Sequence, residues 1–122
     1  MDSQQFDKLV ARAIDSLPAE FRERLENVDI VVADMPTRAQ MKNLKGKRGE
    51  MLLGLYEGVP LTERTLGYGF VAPDKITIFQ KPIETVCRND AQVVSEIQRV
   101  VRHEIAHHFG ISDDRLEELG RY

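Results

Sequence analysis

The chain has 122 residues, 42% of them hydrophobic and 30% charged, and its 17 basic and 20 acidic side chains leave a formal net charge of −3. That balance excludes a disordered chain and a strongly basic nucleic-acid binder, and the length suits one domain, residues 1–122, around a single core. Cys87 is the only cysteine, so no intrachain disulfide forms and an ordinary, partly buried thiol in a reducing compartment is expected.

Residues 1–5 lack the basic start and apolar run of a secretory signal, and no apolar run is long enough to span a bilayer. The expectation is a cytoplasmic protein without a membrane partner. Phe6, Leu9, Val10, Ala13, Ile14 and Leu17 recur at spacings of three and four, predicting an amphipathic helix that ends before Pro18. A second helix is expected with Pro18 in its first turn and Phe21, Leu25 and Val28 on its buried side.

Residues 29–34, short and β-branched, read as a first strand. Residues 37–49 are polar and basic and read as a short helix followed by a loop, or as a mobile segment. Residues 51–56 and 76–80 read as second and third strands, and the glycine- and proline-rich stretch 57–74 between them as a long loop. On that loop, Arg64 and Tyr68 are candidates for stabilising a developing oxyanion, although solvation and packing are the commoner duties of such residues. A helical turn is expected over residues 83–86, and Asn89 or Asp90 can cap the helix that follows.

This last helix carries the chemistry. Val93, Val94, Ile97, Val100, Val101 and Ile105 cover one broad face at about 100° per residue. His103 and His107, one turn apart at the margin of that face, can reach one metal ion together. Glu104 falls inside the apolar arc, where an ionisable group is costly unless paired or given a task, and beside a metal-held water it has one as general base. Glu96 is a candidate for orienting a ligand imidazole. His108 points into the arc, away from the pair, and is expected to be a buried, satisfied histidine. Gln98, Arg99 and Arg102 should face solvent.

A catalytic zinc usually has three protein ligands. Gly110 can end the helix and turn the chain back, which makes Asp113 the best-placed third ligand and Asp114 its near alternative. Two imidazoles and a carboxylate favour zinc, one Zn2+ per chain, over manganese, iron or cobalt.

The run His-Glu-x-x-His-x-x-Gly-x-x-Asp over residues 103–113 resembles the zincin metallopeptidases, in the metzincin-like variant with aspartate as third ligand. The chain more closely resembles the small bacterial family of minimal zincin-like metallopeptidases, over nearly its whole length, in residues 6–18, 25–28, 54–64, 73–78 and 103–120. The resemblance implies a compact α+β fold, with a sheet of three or four strands packed against helices that include the motif helix. It also implies zinc held by His103, His107 and Asp113, Glu104 as base, and a peptide or protein substrate. The sequence departs from the larger metzincins in having no methionine after the motif, since Met1, Met35, Met41 and Met51 all precede it. Two other readings stay open: a metal-dependent hydrolase of a non-peptide substrate such as RNA, which the acidic balance disfavours, and a non-catalytic interaction domain on the same scaffold.

Overall fold

Burial of the apolar face of one long helix against a small sheet, with shorter helices packed on it, organises the chain. The computed structural model describes residues 1–42, 52–58 and 74–109. In chain order these form α1 (Ser3–Asp15), α2 (Ala19–Arg24), β1 (Val28–Ala33), α3 (Arg38–Lys42), β2 (Gly54–Glu57), β3 (Asp74–Phe79), α4 (Gln80–Val86) and α5 (Asp90–Phe109). The architecture is α+β.

α1 starts where the Asp2 carboxylate accepts the Gln5 N–H at 2.8 Å, satisfying one of the donors a helix start leaves open. Its apolar stripe of Phe6, Leu9, Val10 and Ala13 is buried as the spacing predicts. Pro18 stands just before α2 as its cap rather than within the first turn. Val28, expected on the buried side of that helix, instead opens β1. The helix stops at Arg24, a turn closes with the Val28 N–H donating to Leu25 O at 3.0 Å, and the β-branched run takes over.

The strand order is β1-β3-β2, with β1 parallel and β2 antiparallel to β3. β3 is therefore central, and Ile76 and Ile78 on it have no exposed surface. In register, Ile30, Ile76 and Tyr56 form one row across the sheet, and Val32, Ile78 and Gly54 the next. The second strand is shorter than the sequence suggests, since Leu52 and Leu53 lie outside the ladder. The third begins two residues earlier, at Asp74, and yields Gln80 to α4.

α5 lies across this sheet. At its start the Asn89 side chain accepts the Gln92 N–H at 2.8 Å, and the Gln92 side chain accepts the Arg88 N–H at 2.7 Å. Val93, Ile97, Val100, Val101 and Ile105 are buried, which sets the rotation of the whole helix. Gln98 faces a neighbour rather than water: its amide donates to Ala13 O at 3.1 Å and ties α5 to α1. Among the described residues no helix is long and apolar enough to cross a membrane.

α5 approaches the sheet tightly at Gly54. A Cβ there would run into Val100 Cγ1 and stand 3.2 Å from Thr77 O, so only glycine fits without displacement. Gly54→Ala should lower stability by about 1–3 kcal/mol, the usual cost of overpacking. In urea unfolding, adding Val100→Ala should recover part of that loss as a favourable coupling of about 1 kcal/mol, and strictly additive losses would remove Val100 as the cause.

Candidate metal and hydrolytic site

The buried stripe of α5 places its last two turns against β2, and the candidate site forms along that seam. His103 is half-buried and His107 exposed, with ring centroids 6.3 Å apart and ring planes at 69°. Neutral imidazoles one turn apart on one helix suit zinc as donors. Among the described residues no group of three His, Cys, Asp or Glu side chains could hold a metal. Asp113, Asp114 and the turn at Gly110 lie outside the described residues, as do Arg64 and Tyr68. The donor chemistry of His103 and His107 fits a metal as two of its ligands.

Glu104 is half-buried beside the fully buried Ile105, as its place in the apolar arc requires. Its Oε1 accepts the backbone N–H of Tyr56 at 2.8 Å. Burial pushes the carboxyl above the usual carboxylate range, while the Tyr56 N–H and the nearby His107 act in the opposite direction and reduce the shift. The result is a base of raised proton affinity, fixed at one oxygen.

His108 is not buried, contrary to the expectation from its direction on the helix. It lies at the rim, stacked on Tyr56 with ring centroids 3.9 Å apart and planes at 14°, and its Nε2 is 3.7 Å from Asp74 Oδ2. Tyr56 completes the cluster by donating its hydroxyl to the same Asp74 oxygen at 2.7 Å. The helical wheel assumes a flat apolar neighbour, whereas β2 brings a polar-tipped aromatic to that side. Glu96, a candidate for steadying an imidazole, is engaged by Arg99, whose Nε donates to Oε1 at 3.0 Å.

Sequence reasoning missed Tyr56 and Asp74 as site residues. One signal was present: Asp74 falls at period two with Ile76 and Ile78, on the apolar face of its strand, and a carboxylate at such a place needs a partner. It is 9% exposed.

Cys87 is half-buried and free, matching the ordinary thiol expected. Burial pushes its pKa up and the negative charge of Glu96 adds to the effect. Since the thiolate is the reactive form, alkylation at neutral pH should be slower than for an unperturbed thiol of pKa about 8.5. Glu96→Gln should shift the pH midpoint of alkylation downward, and an unchanged midpoint would remove Glu96 as a cause.

Comparison with known proteins supplies the rest. A family model described as zincin-like metallopeptidase matches residues 25–121. Among solved structures, the chain is similar to a conserved hypothetical protein from Thermo thermophilus, at 21% identity and a TM-score of 0.56, over 99% of this chain and 100% of the other. That likeness supports the fold alone. No curated protein matches the chain. A family match that begins before the sheet and runs through the whole of α5 settles the kinship: the chain belongs to the zincin-like metallopeptidase family.

Proposed function

We propose that the chain is a zinc-dependent peptidase in which His103, His107 and Asp113 hold one zinc ion and Glu104 is the general base. A zinc ion held there supplies positive charge that lowers the pKa of a coordinated water to about 7 and polarises a carbonyl. The observation that carries this reading is the placement of Glu104: half-buried, on the helix that bears both histidines, with one oxygen engaged by Tyr56. A base works best when its pKa approaches the operating pH, and burial moves Glu104 in that direction. Its second oxygen, without a hydrogen bond among the described residues, would take a proton during attack and deliver it to the leaving nitrogen.

β2 supplies the binding edge. Among the described strands β3 is enclosed between its neighbours, so β2, alongside α5, is the one we assign to pairing with an extended substrate strand. A peptide or protein substrate fits this edge better than a nucleic acid fits a chain of net charge −3. The free thiol of Cys87 suits a cytoplasmic setting.

One observation favours a second reading. The hydrogen bond that aims Glu104 also joins α5 to the sheet, a duty it performs equally well in a non-catalytic zincin-fold domain.

Elemental analysis of protein purified without chelator or histidine tag should find one zinc per chain, retained in Glu104→Gln and lost in His103→Ala. Zinc-loaded protein should cleave members of a broad peptide library, and Glu104→Gln should slow cleavage by about 10²–10⁴. Fully loaded protein that cleaves nothing would leave the second reading.

A further inference from the structure

We propose that Tyr56 is a positioning residue for the base: its side chain, clamped between Asp74 and His108, fixes the backbone N–H that aims Glu104. This rests on the reading of Glu104 as general base.

Three elements meet at the clamp. From β2, the Tyr56 hydroxyl donates to Asp74 Oδ2 at 2.7 Å, a short hydrogen bond strengthened by the acceptor's charge. From β3, Asp74 presents that acceptor from a buried position, where a carboxylate needs donors. From α5, His108 lies flat on the Tyr56 ring and brings Nε2 to 3.7 Å from the same carboxylate oxygen. The Tyr56 N–H then reaches back to α5, four residues before His108, and donates to Glu104 at 2.8 Å. Side chain and main chain of one residue therefore grip one helix at two successive turns.

β2 is four residues long, packed against α5 at Gly54 and followed by Gly58. Gly58 also lies against the cluster: a Cβ there would stand 3.5 Å from His108 Cε1 and 3.7 Å from Asp74 Oδ1. The clamp acts at the end of the strand away from Gly54, where Tyr56 meets α5. A base has to be held within about 0.5 Å of its working position by neighbours that are themselves fixed. The phenol is not assigned a place among the reacting groups, because its proton is donated to Asp74.

Tyr56→Phe keeps the ring, the stack and the backbone N–H and removes only the hydroxyl. In metal-free protein, hydrogen exchange followed by NMR should show the Tyr56 amide exchanging about tenfold faster, the loss of one charge-assisted hydrogen bond's worth of restraint, with Ile76 and Ile105 unchanged. Tyr56→Phe with Asp74→Asn removes the hydroxyl and the acceptor's charge together and should show the same local effect if the single variant folds poorly. On a cleaved peptide, kcat should fall about tenfold at constant KM and constant zinc content, since aim and not binding is lost. A Tyr56 amide as protected as in the parent, exchange accelerated throughout the molecule, or failure of both variants to fold would each overturn the proposal. A local exchange effect in a protein that cleaves no peptide would instead sustain the clamp and reject the peptidase reading.

Discussion

A single hydrogen bond between a helix and a sheet edge governs the geometry of the candidate site. The Glu104 carboxylate and the Tyr56 N–H are both drawn out of water, and each is the other's compensation. A half-buried carboxylate without a donor is expensive, and so is an edge-strand N–H turned toward protein without an acceptor. Their pairing lets the helix carry an acid on its apolar side and sets that acid beside the two histidines.

The same helix builds the core and the site, and this couples stability to chemistry. Ile97, Val101 and Ile105 have no exposed surface, and their burial fixes how α5 is turned about its axis. Once that rotation is set, His103 and His107 stand at the margin of the buried face and Glu104 toward β2. Gly54 allows the helix to come close enough for a 2.8 Å contact two residues along the strand. A larger residue there would press on the core and lengthen the contact that aims the base.

Zincin-like membership fits this economy. Of the proposed ligands, two come from adjacent turns of one helix, the base lies between them in sequence, and the edge that would take an extended substrate is the strand that grips the base. Few elements are needed because each serves twice.

Several features were legible in the residues because they depend on local geometry. Spacings of three and four gave α1 and α5, β-branched runs gave β1 and β3, and the offset of four between His103 and His107 put both on one face of a helix. The α+β class was what the family resemblance implied, and the partial burial of Glu104 follows from its place in the apolar arc. Val28 and His108 were misjudged because helical direction alone does not say where a helix stops or what lies opposite it. Only the tertiary structure decided that β3 is central and β2 an edge, that Tyr56 reaches Glu104 across 48 positions of chain, and that Asp74 and His108 close on the same tyrosine. Contacts between elements are set by strand order and packing, and they leave no period in the sequence from which to read them.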